Sequence, residues 1–455
     1  MATNDLNHSA SWLRLRTLTL GCALLSSTSL LWSMDLLQAY EAAQKQDATI
    51  LAARAAAAAG RERLPQAQAQ LRPVISFGVS RNSNNLSSTG PDALGQEQTT
   101  DRKYMSGNRT LSVRQPVFRS LQMAQVGQAK AQVLDAEATL AQEEQALVAR
   151  VVGAYFDAVL SHDQLELILS QRTAYSSQLD AARKSFAAGS GTRTDVDEAQ
   201  ARMDMNVAQE LEARQNVAYT LRQLEMLVNQ PIDKLARLDV SRLELLNPQP
   251  NSLDDWTARA ELSSPKMQSL KAQLDASRQE VMKANAGHHP TLDAVAQLSR
   301  SESENMTNIS NRYNNASVSL QFNFPIYSGG GVDSAIRQAL AGQEHAEQAL
   351  EAGRRELGLQ VYKEFRGVTE SIPRIKALEQ ALRSADQLVI SNHKSFQAGV
   401  RTLLDALNAE QQRMVVRRDL AQARHMYLTS RIRLLALVGS ADSEAVATIN
   451  RLLQS

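Results

Sequence analysis

The chain has 455 residues, of which 43% are hydrophobic, 21% charged and only 4% aromatic, with a formal net charge of +1 and a single cysteine. Its 20 glycines and 11 prolines fall well below average usage, which excludes collagenous and low-complexity disordered chains. A mean hydropathy of −0.33, with no apolar run of about 18 residues beyond the first forty, excludes a multi-span helical membrane protein, and the balanced charge argues against a dedicated nucleic-acid binder.

Residues 1–33 differ in kind from the rest. Arg14 and Arg16 precede an apolar run from Leu18 to Trp32 that is too short to span a bilayer stably, the pattern of a secretory signal peptide. Its removal takes away Cys22, leaving a chain with no disulfide, no thiolate metal site and no cysteine nucleophile. A rival reading makes Cys22 a lipid attachment site after Leu20 and Gly21, but most of the apolar run would then lie beyond the cleavage point.

A helix of about 35 residues opens the remaining chain, and Pro73 ends it. Strands follow at 74–82 and 109–118, separated by a loop rich in Asn, Ser, Thr and Gly. No proline occurs between Pro116 and Pro231, and residues 119–187 are mostly Ala, Gln, Glu, Leu, Val and Arg, which predicts one helix about 100 Å long. Apolar positions recur every seven residues along two seams. Val126, Val133, Leu140, Leu147 and Ala154 form one; Ala124, Ala131, Ala138, Val152 and Val159 form the other, interrupted by Gln145. The seams lie roughly 140° apart around the helix, so it packs against neighbours on both sides, as a stave does in a curved wall. A helix of an ordinary bundle shows a single apolar face. A glycine turn leads into a second helix at 195–229, and residues 230–253, holding Pro231, Pro248 and Pro250, form an equatorial linker.

The rest of the chain repeats this order. Ser185-Phe186 to Ala199 aligns without a gap with Ser395-Phe396 to Ala409, at a spacing of 210, and Leu227-Val228 answers Leu437-Val438 at the same spacing. The first unit is 34–229 and the second 254–440, with a C-terminal tail at 441–455. The second unit has a helix from Asp254 to about Ala286, strands at 290–300 and 315–326, a long helix at 332–397 and a helix at 405–438. Each helix from a glycine turn covers half of a long helix, so that of 195–229 and that of 254–286 together match one. Pro373 falls inside the second long helix and is expected to kink it.

The strands alternate, as Val318, Leu320, Phe322 and Phe324 do with Ser317, Ser319, Gln321 and Asn323. The helices enter and leave at one end of the strands and occupy each other's seams, which leaves lipid as the partner of the apolar sheet face. An open sheet edge is forbidden in lipid, because each unpaired backbone group there costs several kcal/mol. Four strands do not close alone, so the chain must oligomerise, as a dimer of eight strands or a trimer of twelve. The fold class is mainly α with a transmembrane β-barrel, in two tandem repeats of helix, strand, strand, long helix and helix.

At this point the sequence resembles the TolC family of bacterial outer-membrane channel proteins. The residues that carry the resemblance are Asp35-Leu-Leu-Gln-Ala-Tyr-Glu-Ala-Ala43, Val113-Arg-Gln-Pro-Val-Phe118, Gly191-Thr-Arg-Thr-Asp-Val-Asp-Glu-Ala-Gln-Ala-Arg202 and Phe324-Pro-Ile-Tyr-Ser-Gly-Gly-Gly331. The resemblance covers essentially the whole chain after residue 33. It implies a homotrimer with one twelve-stranded barrel continuous with a periplasmic α-helical tunnel. It further implies docking to a periplasmic adaptor protein and to an inner-membrane ABC or proton-driven pump, for type I secretion or efflux of proteins or small toxic compounds.

The resemblance also implies a periplasmic gate. Carried over by position, its residues are Phe396, Arg401, Asp405 and Asn408 in the second repeat and Thr194 and Asp195 in the first. Phe396 stands where the best-known members have a tyrosine and Asn408 where they have a second aspartate, which implies a looser latch and a weaker cation block. The bland alternative makes Asp195 and Asp405 helix N-caps. The small tips, with Gly189, Ser190, Gly191 and Thr192 in one and Gly399 and Val400 in the other, admit close approach of an adaptor helix.

Three other readings are weaker. Gly329-Gly330-Gly331 between strand and helix lacks the Lys-Ser/Thr of a phosphate-binding loop. His288-His289 has no further ligand at metal spacing, so neither a metal nor a cofactor is expected, and no acid, base or nucleophile constellation marks an enzyme. A periplasmic adaptor of the same machinery is the main alternative function, but it supplies one helical hairpin between small β domains, not two hairpins and two strand pairs.

Overall fold

The computed structural model describes residues 33–304 and 310–454. The expected signal peptide, apart from Ser33, and Cys22 with it, lies outside the described residues. The elements are α1 (Leu36–Gln46), α2 (Ala48–Arg61), α3 (Arg63–Ala69), β1 (Val74–Pro91), β2 (Glu97–Arg119), α4 (Ser120–Ala187), α5 (Arg193–Val228), α6 (Leu253–Ser263), α7 (Pro265–Asn285), β3 (Thr291–Glu304), β4 (Ser310–Asn323), α8 (Gly331–Gln397), α9 (Leu403–Leu437) and α10 (Ser443–Asn450).

Two helices of 68 and 67 residues, α4 and α8, run the length of the helical body. Each glycine turn sends a shorter helix back antiparallel to them. Along α4, the tip-side half pairs with α5, where Arg172 meets Glu210 and Ser161 meets Thr220 at 2.8 Å. The sheet-side half pairs with α7, where Gln128 donates to Glu280 at 2.8 Å and Ser269 to Asp135 at 2.6 Å. Of the two heptad seams, Ala124, Ala131, Ala138, Val152 and Val159 are buried, while Val126, Val133, Leu140 and Ala154 are only half-buried.

Two expectations need correction. The first helix is three segments, because Asp47 is extended and caps α2 through Thr49 and Ile50, and a second break falls at Glu62. The helix from 254 is likewise interrupted, at Ser264 before Pro265, where proline favours a new first turn. Pro373 lies inside α8, which continues on both sides of it, and its neighbours Ile372 and Ile375 pack in the main core.

The sheet has the order β1-β2-β3-β4, all antiparallel. Its register aligns the alternation of the four strands: Ile75, Val113, Ala296 and Val318 form one row and Phe77, Leu111, Leu298 and Ala316 the next. The other face carries Ser76, Ser112, Gln297 and Ser317. Among the described residues no helix covers the apolar face, where Ile75 and Phe77 are each 69% exposed and Val318 85%. A bulge between Pro116 and Phe118 marks where proline withholds its ladder donor.

The strands differ from expectation in length. Residues 82–109, expected as a loop, are mostly paired strand, with β1 and β2 in register from Val74 opposite Arg114 to Pro91 opposite Glu97. Backbone pairing needs no apolar side chain. Cross-strand polar pairs serve instead, as Thr89 with Thr99 at 2.9 Å and Asn84 with Ser106 at 2.9 Å. The second hairpin also extends further out than expected, to Glu304 and Ser310, and stops at Asn323 before Pro325.

The main core lies where α4 and α9 cross the linker. Tyr155 donates to the carbonyl of Ala236 at 2.8 Å, and Tyr427 accepts from the Leu246 amide at 2.9 Å, so two buried phenols fasten residues 230–253 to the helices. The C-terminal tail joins the same belt: Asp239 donates to Leu452, Gln454 to Arg237, and the Leu37 amide to Asn450. His425 is buried there with its Nδ1 donating to the Phe156 carbonyl at 3.0 Å. Burial first, and Arg424 nearby, push its pKa down to about 4. The unfolded chain therefore takes up a proton near pH 6.5 that the folded chain refuses until about pH 4. Stability is unaffected above pH 6.5 and should fall by about 3 kcal/mol as pH drops from 6.5 to 4. Unfolding temperatures measured across that window should show a decline that His425→Phe flattens; equal slopes in both proteins would contradict it.

Candidate functional site

The two glycine turns share one hydrogen-bond pattern. At the first, the amides of Ala188, Gly189 and Ser190 donate to the carbonyls of Lys184, Phe186 and Ser185; at the second, those of Ala398, Gly399 and Val400 donate to Lys394, Phe396 and Ser395. Gly189 and Gly399 have φ of 76° and 71°, the left-handed conformation that ends a helix cheaply only for glycine. Gly189, Ser190, Thr192, Gly399 and Val400 are exposed, and Gly191 is tucked against Ser185 and Phe186.

The aspartates are not the N-caps. Thr192 and Thr402 hold that position, and Asp195 and Asp405 are the third residues of their helices, closing capping boxes. Thr192 Oγ1 accepts from the Asp195 amide at 3.1 Å while Asp195 Oδ2 accepts from the Thr192 amide at 3.0 Å; for Thr402 and Asp405 the distances are 3.2 and 3.1 Å. Arg401 adds an ion pair to Asp405 at 3.6 Å. Hydrogen bonds from Thr402, side chain first and backbone second, and the positive charge of Arg401 hold the Asp405 carboxyl below its usual range. It is a carboxylate throughout the neutral range.

The remaining gate candidates divide. Phe396 packs half-buried against a small core of Tyr175, Leu179, Ala182, Ala199, Leu403 and Leu407, which joins the two hairpins near their tips. Thr194 lies in the first turn of α5, and among the described residues its side chain has no hydrogen bond. Asn408 Oδ1 accepts from Arg202 Nη2 at 2.9 Å, and Gln411 accepts from Arg202 Nη1. Arg202 thus ties α5 to α9. Sequence reasoning missed this link because the partners of Arg202 come from the other repeat, 206 and 209 positions away; the signal was a charged residue inside the repeated motif.

Beside this link lies a cavity of about 290 Å³ between α4, α5 and α9, lined by Gln171, Tyr175, Arg202, Asn206, Gln411 and Arg418 among others. Further charge is buried close by: Glu210 pairs with Arg172 at 2.7 Å and Arg214 at 2.8 Å, and Glu410 pairs with Arg413. Of these pairs only Arg172 with Glu210 joins two helices, α4 and α5; Arg214 with Glu210 and Arg413 with Glu410 are one-turn pairs along α5 and α9. At the opposite end, Asp293 of β3 is buried against Arg119 of β2, whose Nε donates to Oδ1 at 2.9 Å, binding the two hairpins where sheet meets helices. His288 and His289 bond Asp333 and Ser120 at the same junction.

This architecture agrees with known proteins. The sequence model of the outer membrane efflux protein family matches residues 39–230 and 256–440. The chain belongs to that family. The alkaline protease secretion protein AprF of Pseudomonas aeruginosa is 34% identical over 439 residues, covering 95% of this chain and 91% of its own. The proteases secretion protein PrtF of Dickeya chrysanthemi is 29% identical, with 93% and 92% covered. Among solved structures, the outer membrane protein VceC of Vibrio cholerae superposes with a TM-score of 0.76 at 18% identity, over 89% of this chain and 96% of that one, and so shares the fold. The protein is an outer membrane export channel, and the adaptor reading is set aside.

Proposed function

We propose that the chain is the exit duct of a type I protein-secretion system, working as a homotrimer. Three sheets join β4 of one copy to β1 of the next and close a twelve-stranded barrel, below which the long helices form the periplasmic tunnel. The observation that carries this is the four-stranded sheet which, among the described residues, has two free edges and one uncovered apolar face, continuous with helices about 100 Å long. Protein cargo is favoured because AprF and PrtF are both named for protease secretion. A periplasmic adaptor reaching the exposed tips, Gly189 to Thr192 and Gly399 with Val400, and an inner-membrane pump complete the pathway.

Outer-membrane fractions should yield a species that migrates as a trimer in detergent and collapses to the monomer on boiling. A detergent-free monomer in aqueous buffer would end this reading. Deletion of the gene should abolish secretion of the exported protease and leave it in the cells.

In the same reading Asp405 forms a ring of three carboxylates around the tunnel axis, with Phe396, Arg401, Asn408, Thr194 and Asp195 around it, and Arg202 holds the hairpins together. Carboxylates crowded on a narrow axis bind cations that block the pore. Asp405→Ala should relieve inhibition of single-channel current by divalent cations at least several-fold. Because it also breaks the capping box, Asp405→Asn, which keeps an acceptor for the Thr402 amide, should relieve the block with less effect on stability. Unchanged inhibition in both would remove Asp405 from the gate.

A further inference from the structure

The sheet face that carries the apolar rows changes character abruptly toward the strand tips. From the row of Leu292 and Phe322 to that of Phe77 and Leu298 the face is almost wholly apolar. This is about 20 Å of strand at ~3.4 Å per residue, close to the apolar band of about 25 Å of an outer-membrane barrel. The next two rows on the same face are Val79, Arg109, Arg300 and Asn314, then Arg81, Gly107, Glu302 and Arg312. Four arginines stand there against one glutamate. The helix-side rows of this face carry no charge, so the arginines mark only the outward boundary of the band.

Arg81, Arg109 and Arg300 surround a recess of about 280 Å³ over Gly107. The glycine is not required by the backbone: its φ is not positive, and an added Cβ would meet only the Ser80 carbonyl at an ordinary 3.5 Å. What its missing side chain provides is the recess. Glu302, at its rim, is engaged by Arg300 at 3.3 Å and Arg312 at 2.9 Å and so bridges the two arginine-bearing rows. Planar guanidinium forks match phosphate oxygens bidentately, and at the edge of lipid the pairing is only partly screened.

We propose that Arg81, Arg109 and Arg300 form a binding site for a phosphate of the phosphorylated glycolipid in the outer leaflet, with the acyl chains lying against the rows of Phe77 and Ile75. The inference rests on the barrel reading, which turns this face to lipid and the strand tips outward. Three such sites around a trimer would tether the channel to the leaflet surrounding it.

The test uses the full chain purified as the heat-resistant trimer, with diphosphoryl lipid A and its dephosphorylated form as probes in detergent. Native mass spectrometry should show the phosphorylated lipid retained about tenfold better than the dephosphorylated one, as expected for charge-assisted contacts. The double variant Arg81→Ala/Arg109→Ala should lose that preference, and so should Gly107→Leu, which fills the recess without changing charge. Equal retention of the two lipids overturns the proposal, as does a preference that survives both variants, or displacement of lipid A by millimolar inorganic phosphate. If a variant fails to trimerise, the wild-type comparison of the two lipids still decides. A wild-type trimer without phosphate discrimination sinks this inference alone, whereas the absence of a trimer sinks the barrel reading with it.

Discussion

Arg202→Ala should hold the periplasmic end of the channel open. The side chain gives two hydrogen bonds from one guanidinium to Asn408 and Gln411, and these link the first hairpin to the second near the tips. Bonds from a charged donor contribute about 1.5–3 kcal/mol, reduced here to about 1 kcal/mol because the contact is partly exposed. Summed over three copies this is about 3 kcal/mol, or roughly a hundredfold in the ratio of closed to open tunnels. Single-channel conductance in planar bilayers should rise several-fold, and cells carrying the variant should become leaky to large antibiotics. Arg202→Lys keeps the charge but not the fork and should fall between the two. A conductance equal to that of the wild type would show that the apolar cluster of Tyr175, Leu179, Leu403 and Leu407 closes the tips unaided.

Asp293→Ala should abolish the heat-resistant trimer. Asp293 is 5% exposed and bound bidentately by Arg119, which joins the end of β2 to the start of β3. Removing the carboxylate leaves a guanidinium confined between sheet and helices without a partner, a change that costs about 3 kcal/mol or more in each chain. Since β2 and β3 come from different repeats, the loss falls on the junction that holds the two hairpins in one sheet. Asp293→Asn, which still accepts one hydrogen bond, should lower the dissociation temperature without abolishing the trimer. Replacing both partners with apolar residues of similar size, Arg119→Met with Asp293→Leu, should recover most of the loss. If Asp293→Ala migrates as the wild type does after heating, the pair has no part in assembly.

The first long helix was legible because it rests on local chemistry: helix-forming composition, no proline for over a hundred residues and a heptad pattern on two sides; the second was legible through the repeat, in spite of Pro373. The strands were legible where lipid demands alternation, and invisible where it does not. Residues 82–109 pair through Ser, Thr and Asn, whose composition on one chain cannot be told from that of a loop. The breaks at Asp47 and Glu62 escaped notice because three short helices share one apolar periodicity. At the tips, the threonines took the N-cap position that the alternative reading gave to the aspartates. In a box with Thr first and Asp fourth the hydroxyl reaches the third amide while the carboxylate turns back, so both residues serve the cap and spacing from the glycine does not say which one holds the N-cap position.

Composition, proline spacing and the ungapped repeat at 210 residues were enough to determine two helical hairpins, two strand pairs and their membrane character, since each depends on interactions within a few turns or along one strand. Tertiary structure alone decided the rest. It placed Arg202 against Asn408, Arg119 against Asp293, the tail beside the linker, and three arginines around Gly107. These contacts join residues that are tens to hundreds of positions apart, and their geometry follows from how helices and strands pack in three dimensions, which no pattern along the chain encodes.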